Sequence, residues 1–353
     1  MNQTELAALG WSAHFLRQLD LDDLASADPA RITAVHRDRL AALTAAGPVS
    51  LTLPPRSLMA EYAVGDWVLH DQSRVSRLLE RETHLTRRAS GSAVERQLIA
   101  ANLNALAVVS SCNADFNPGR IERYLAMARA GGVVPLVVLT KADLADPEPY
   151  LAELQGASPG VIALAVNALD PAAVALALAP WIAPGQTLAL AGSSGVGKTT
   201  LANALTTEIH LTKAIREDDA RGRHTTTGRH MVKLASGGWL IDTPGMRELQ
   251  LTDAAQGLAE SFTDLEVLAL TCRFTNCHHD NEPGCAIRAA VETGNLAGDK
   301  LRRWQKLLRE DAMNSRSLAE AHALNRSFGK RSRKAAQAKR ARVAIWGDTR
   351  DGD

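Results

Sequence analysis

Thr187-Leu188-Ala189-Leu190-Ala191 runs directly into Gly192-Ser193-Ser194-Gly195-Val196-Gly197-Lys198-Thr199, and Thr200 opens an apolar-rich helical stretch reaching Leu205. The first five residues read as a buried strand, because they are apolar or small and end at a glycine. The next eight satisfy the phosphate-loop pattern in full, with strand, loop and helix in the required order. Its glycines let successive backbone N–H groups turn inward around phosphates, and the helix start adds a favourable dipole. Lys198 is placed to reach the β- and γ-phosphates, and the Thr199 hydroxyl to ligate Mg²⁺. A nucleoside triphosphate is the expected ligand.

Outward from this loop the texture is α/β. Apolar runs recur at residues 105–109, 133–139 and 161–166, with helical patterns between them at residues 120–130 and 171–181. Buried strands alternating with helices predict a mostly parallel sheet covered on both faces. Residues 230–234, Ser236-Gly237-Gly238 and residues 239–242 predict a hairpin added to that sheet.

The base reader separates this chain from other phosphate-loop proteins. The 133–139 run ends in Thr140-Lys141-Ala142-Asp143, the pattern of an Asn-Lys-x-Asp guanine reader with Thr for Asn. A carboxylate at Asp143 can accept from guanine N1–H and from its exocyclic amine. Adenine offers neither donor, so ATP would leave the carboxylate unpaired. The Lys141 stem would cover the base. A second base-contacting loop is expected near Val166-Asn167-Ala168, which matches the usual Ser-Ala poorly. Both precede the phosphate loop, so the motif order is circularly permuted.

Two switch candidates come after the loop. Arg221-Gly222-Arg223-His224-Thr225-Thr226-Thr227 stands where a first switch belongs, and one of its threonines, Thr226 as candidate, completes the Mg²⁺ shell. Asp242-Thr243-Pro244-Gly245 stands where a carboxylate can hold Mg²⁺ through water and the Gly245 amide can sense the γ-phosphate. The next residue is Met246, which cannot orient an attacking water. His224 is therefore the candidate for that task. Permutation joins this second switch directly to the C-terminal region, so a γ-phosphate-dependent movement would be passed on to it.

Three of the four cysteines fall within fourteen residues. Cys272, Cys277 and Cys285 with His279 make three thiolates and an imidazole, a closed tetrahedral set suited to structural Zn²⁺. Pro283-Gly284 supplies the turn that returns Cys285, and His278 is the alternative imidazole. This clustering, in a chain expected to be cytosolic, favours metal over a disulfide framework. No apolar stretch approaches the ~18 residues of a membrane helix, and Met1 to Gly10 lacks the pattern of a signal peptide.

The net charge of +1 hides an asymmetry, since residues 300–342 carry fourteen Lys and Arg against three acids. A basic tail on an acidic body points to a polyanionic partner, most simply nucleic acid. At the other end, Trp11, Phe15, Leu16 and Leu19 predict one small helix. Residues 49–53 alternate, and Gly65-Asp66-Trp67-Val68-Leu69 reads as a turn entering a strand, so residues 32–86 predict a small β-barrel.

These residues together resemble the RsgA family of permuted GTPases, over roughly residues 32–330. The resemblance rests on Gly65-Asp66-Trp67-Val68, residues 192–200, Gly222 to Thr227, Asp242 to Gly245 and the Cys272/Cys277/His279/Cys285 set. It implies a nucleotide cycle between GTP and GDP, stimulated by the small (30S) ribosomal subunit and its 16S rRNA. The implied organisation is an N-terminal helical extension (1–31), an OB-fold barrel (32–100), a permuted GTPase domain (101–250), a helical zinc domain (251–330) and a basic tail (331–353). The protein is expected to be monomeric and cytoplasmic, with no membrane partner. A GTP/GDP-sensing RNA clamp with negligible turnover is the alternative. Thr140 and Asn167-Ala168 are the departures from the family pattern.

Overall fold

The structure, a computed structural model, describes residues 2–26, 28–88, 96–206, 230–242, 251 and 254–315. The chain opens with α1 (Gln3–Ala8), α2 (Ala13–Leu16) and α3 (Leu21–Ser26). One helix through Trp11, Phe15, Leu16 and Leu19 was the expectation, and this is a correction. Gly10, at φ +92°, breaks the helical path, and Ser12 starts the second helix by accepting from His14 N–H. Leu6, Leu9 and Phe15 are buried, while Leu16 is 48% exposed.

A barrel comes next, formed by β1 (Asp28–Val35), β2 (Leu40–Thr44), β3 (Gly47–Leu51), β4 (Trp67–Asp71) and β5 (Arg74–Leu78). β1 pairs with both β2 and β4, β2 with β3 and β4 with β5. A bridge between Thr52 and Arg74 brings the end of β3 to the start of β5. Ala30, Ile32, Leu40, Ala42, Leu51, Tyr62, Val68 and Val75 fill the interior. Gly65 (φ +93°) makes the turn into β4, and a Cβ there would fall 2.0 Å from the Ala101 carbonyl. No other residue fits that approach. A separate two-stranded ribbon, β6 (His84–Arg88) with β7 (Arg96–Ala101), leads onward.

The α/β part then unrolls as β8 (Ala105–Ser111), α4 (Pro118–Ala130), β9 (Val134–Thr140), α5 (Glu148–Ala157), β10 (Ile162–Ala165), α6 (Pro171–Ile182), β11 (Thr187–Ala191), α7 (Lys198–Leu205), β12 (His230–Lys233) and β13 (Trp239–Asp242). The sheet order is β10-β9-β8-β11-β13-β12, parallel except for the β12–β13 hairpin. Alternation along the strands sets the layers. Leu106, Val108, Val137, Leu139 and Ala189 face α4, while Ala107, Val109, Leu136, Val138 and Leu188 face α6 and α7.

α8 (Ala255–Ser261), α9 (Thr263–Ala269), α10 (Ala286–Glu292) and α11 (Gly298–Asn314) complete the described chain. Leu258, Phe262, Leu265, Ile287, Trp304 and Leu307 join the same core as α4. Gly257 explains how closely α8 approaches α4, since a Cβ there would lie 2.0 Å from the Ala126 carbonyl. The barrel and the α/β sheet are continuous through one pairing, Ala34 of β1 with His230 of β12.

Arg31 pins the N-terminal segment at this junction. It is 1% exposed, lies over the Trp67 ring, and donates to the carbonyls of Leu9 and Asn102. Burial pushes its guanidinium down to about 9, with Asp66 opposing. Trp239 Nε1 donates to Ala8 O at 2.8 Å, so the same segment also contacts the α/β sheet.

Candidate functional site

The phosphate loop leaves β11 at Gly192, whose φ of +141° and approach to the Val109 carbonyl (2.2 Å from a would-be Cβ) exclude a side chain. Gly195 and Gly197 also sit at positive φ, +79° and +91°. Lys198 then begins α7, with Thr199 and Thr200 half-buried in its first turn. Val196 is buried beneath the loop, whereas Ser194 and Gly195 are exposed at its rim. Lys198 Nζ donates to the Ser193 carbonyl, and Arg120 of α4 donates to the Ser193 hydroxyl.

Residues 140–143 lie beside this loop. Thr140 is completely buried, and its hydroxyl lies 2.6 Å from Val196 O and 3.1 Å from Ser110 O. What Thr140 offers the site is the position of the phosphate loop. Its one hydroxyl hydrogen ties Val196 to the end of β9. A Cβ at Gly197 would come 3.1 Å from the same hydroxyl, so the glycine also permits this contact. Lys141 is next, in the left-handed region at φ +61°, which turns the chain outward and leaves Asp143 exposed.

The Val166-Asn167-Ala168 loop is adjacent. Val166 N–H donates to Leu139 O at 2.9 Å, and Ala142 N–H donates to Val166 O at 3.4 Å. Asn167 spends its side chain on the local turn, accepting from Leu169 N–H at 2.9 Å. Residues 140–143, 166–168 and 192–200 are therefore brought to one end of the sheet, across β10, β9 and β11. His224, Thr226 and Gly245, together with the Asp242 side chain, lie outside the described residues. Only the Asp242 backbone is placed, at the end of β13 opposite His230.

The helix predicted at residues 120–130 is α4, and what sequence reading missed is that its first turns line the phosphate loop. Asn117 caps it by accepting from Arg120 N–H at 3.0 Å, and Pro118 opens its first turn. The Tyr124 hydroxyl is hydrogen-bonded to the Gly192 backbone, and burial pushes it up, with Arg120 and Arg123 opposing. A shallow cleft lined by Asp115, Asn117, Arg120, Tyr124, Gly192 and Ser193 lies between the end of β8, the start of α4 and the loop. Charged residues on an amphipathic helix look like a solvated face in sequence, and no periodic signal separates these from that background.

The metal-type cluster closes as the spacing indicated. Cys272 Sγ and Cys285 Sγ lie 3.6 and 3.5 Å from His279 Nδ1 and 4.0 Å from each other, and all four ligand atoms fall within 4.8 Å. A Zn²⁺ tetrahedron with ~2.3 Å Zn–S bonds has edges of about 3.8 Å, so the donor set fits the ion. His279 adopts φ +61° and packs against Trp304 of α11, 5.4 Å between ring centroids. Gln305 donates to the His279 carbonyl at 3.1 Å. Glu282 accepts from the N–H groups of His278, Asp280 and Asn281, and these bonds, that of His278 foremost, hold its carboxyl down to about 2. His278 is exposed and stands apart from the donor set.

The comparisons agree with this geometry. The RsgA GTPase family model matches residues 78–252. An ABC transporter model also matches residues 181–345, a span that opens on the strand and phosphate loop common to many nucleotide-binding families. The chain is 46% identical to small ribosomal subunit biogenesis GTPase RsgA 2 of Vibrio vulnificus, covering 92% of this chain and 93% of that one. It is 47% identical to small ribosomal subunit biogenesis GTPase RsgA of Mesorhizobium japonicum, covering 88% and 91%. Among solved structures, YjeQ from Thermotoga maritima aligns with a TM-score of 0.59 at 22% identity over 80% of this chain and 98% of that one. YloQ, described as a circularly permuted GTPase, aligns at 0.56 and 21% identity over 82% and 96%. With identities of 46 and 47% over most of its length, a barrel ahead of the phosphate loop and a Cys₃His cluster after it, this chain belongs to the RsgA family of circularly permuted GTPases.

Proposed function

We propose that the protein hydrolyses GTP to GDP and phosphate while assisting late assembly of the small ribosomal subunit, and that the subunit stimulates it. The observation that carries this reading is the Thr140–Val196 contact, which fastens a guanine-type reader to a phosphate loop in permuted order. Relatives named as small ribosomal subunit biogenesis GTPases, at 46 and 47% identity over most of the chain, support the partner.

In this reading Asp143 accepts from guanine, with Lys141 and Ala142 against the base and Thr140 behind them. Gly192, Ser193, Ser194, Gly195, Val196 and Gly197 enclose the phosphates, and Lys198 neutralises them. Thr199, Thr226 and Asp242 hold Mg²⁺, which spreads the charge developing on the transferred phosphoryl group. Thr200 supports the loop from the helix, and Gly245 reports the γ-phosphate. His224 orients the water that Met246 cannot. Cys272, Cys277, His279 and Cys285 hold one Zn²⁺, which fixes the turn before α10.

The barrel and the basic region beyond residue 300 contact 16S rRNA. No helix among the described residues is long and apolar enough to cross a membrane; a cytoplasmic location and a monomeric state are part of this proposal. The domain divisions at residues 31, 100, 250 and 330 belong to the same proposal. GTP hydrolysis measured with and without purified 30S subunits tests it. Turnover that rises with added subunits is expected, and turnover unchanged by them would leave a nucleotide-sensing RNA clamp.

A further inference from the structure

We propose that Arg120, at the start of α4, is a further residue of the GTP site, supplying positive charge to the transferred phosphoryl group. The inference rests on the GTPase reading above and concerns its regulation as well as its chemistry. Two cations converge on Ser193, the second residue of the phosphate loop. Lys198 Nζ donates to its carbonyl and Arg120 Nη1 to its hydroxyl. The anion that this loop is built to hold is a polyphosphate, and the Ser193 contact sets the Arg120 guanidinium beside it.

Arg120 also differs from the other arginines of its helix. Arg123 pairs with Glu310 at 2.5 Å, and Arg129 donates to Ser261 Oγ at 2.6 Å. Arg120 is exposed and, among the described residues, its guanidinium has the Ser193 hydroxyl and no carboxylate as partner. Its backbone is nevertheless fixed by the Asn117 cap and by Pro118. A rigidly based, unneutralised guanidinium at the edge of a phosphate loop matches what phosphoryl transfer requires, where a well-placed arginine stabilises charge on the equatorial oxygens.

The position of that first turn is set by the zinc-bearing region. A Cβ at Gly119 would come 2.8 Å from Arg303 Cδ, so α11 presses on the residue before Arg120. One turn along, Arg303 grips Glu122 through two hydrogen bonds. A particle docking on the zinc region therefore has a rigid route to Arg120, which gives a physical means for subunit stimulation.

The test uses the full-length protein and its Arg120→Ala, Arg120→Lys and Ser193→Ala variants. GDP affinity, trapping of GDP with aluminium fluoride, and subunit-stimulated kcat and KM are measured for each. Arg120→Ala should keep GDP affinity and KM within about threefold, lose roughly 10²–10³-fold in kcat and fail to trap aluminium fluoride. Arg120→Lys, which keeps the charge without the fork, should recover part of the kcat, and Ser193→Ala measures what the loop loses when that one contact is removed. The proposal is overturned if Arg120→Ala turns over at the unmodified rate. It is equally overturned if Arg120→Ala and Ser193→Ala lose GDP and GTP affinity together, since Arg120 is then a staple for the loop. Unmodified protein that hydrolyses no GTP with or without subunits sinks the GTPase reading and this inference together, whereas turnover by both proteins sinks this inference alone.

Discussion

Arg303 meets Glu122 as a two-pronged pair, its Nε 2.8 Å from one carboxylate oxygen and its Nη2 3.0 Å from the other. The carboxylate is wholly buried, while 28% of the Arg303 side chain remains exposed. Beside it, Glu310 accepts from both Arg123 and Leu251 N–H, and Asp311 accepts from Ala254 N–H. Helix α11 thus holds α4 and the chain just beyond the Asp242 motif in one network. Arg303→Ala leaves a buried charge without its partner, so a loss of about 3 kcal/mol is expected in urea unfolding. A loss under 1 kcal/mol would show that the pair adds little to what Arg123–Glu310 and apolar packing already supply between α4 and α11.

The same pair predicts a pH signature. Burial pushes the Glu122 carboxyl above its ordinary 4.5, with Arg303 opposing. A raised carboxyl holds its proton more tightly folded than unfolded. Its contribution is therefore present below the unfolded value and lost as pH climbs through the folded one. Glu122→Gln removes that titration. The stability of the unmodified protein relative to Glu122→Gln should fall as pH rises from about 4.5 toward neutrality. A difference constant with pH would contradict the shift.

Thr140→Val keeps the shape and deletes the hydroxyl, leaving the buried Val196 carbonyl without its donor. The cost should be about 1–3 kcal/mol in stability. Because the hydroxyl is engaged with the Val196 and Ser110 carbonyls and so positions the loop, GTP and GDP should weaken by similar factors in calorimetry. Selective loss of GTP over other purine nucleotides would place Thr140 among the base readers.

Asp143→Asn should separate base recognition from phosphate binding. Two charge-assisted hydrogen bonds to guanine are lost, so GTP affinity should drop roughly 10²-fold or more, with xanthosine nucleotides gaining. Unchanged GTP affinity would remove Asp143, exposed in the loop beyond β9, from the base site.

Purified without chelators, the protein should carry about one zinc per chain, and Cys272→Ser should carry nearly none. Metal binding at such a site is itself folding free energy. A fall in Tm of roughly 5–10 °C is expected for a few kcal/mol in a chain of this size. Full stability without the ion would mean that Trp304 and the apolar contacts of α10 and α11 suffice.

What could be read from sequence is what local chemistry dictates. The phosphate loop needs glycines at fixed offsets, the β12–β13 hairpin announces itself through Gly237-Gly238, and the Cys₃His spacing fits one tetrahedron. Glu122 and Arg303 are 181 residues apart, and nothing in either neighbourhood points to the other. Thr140 reads as a weak substitute for Asn because sequence does not reveal that its hydroxyl faces backbone. The N-terminal helices are too short for periodicity to fix their ends. Arg31 resembles any strand arginine until three segments are seen to close over it. The continuity of barrel and sheet rests on Ala34 and His230, a single pairing with no pattern to announce it.

That pairing gives the molecule a mechanical character. β12 begins at His230, immediately after the stretch carrying Thr225 to Thr227, and is zipped to β13 on one side and touched by the barrel on the other. The barrel is then a handle joined to β12 by that pairing and braced at the same junction by Arg31 and by Val64, Trp67 and Leu69, which share a core with the α/β strands. A displacement of the barrel is therefore carried into β12 at His230 together with the sheet behind it, and handle and sheet move as one piece.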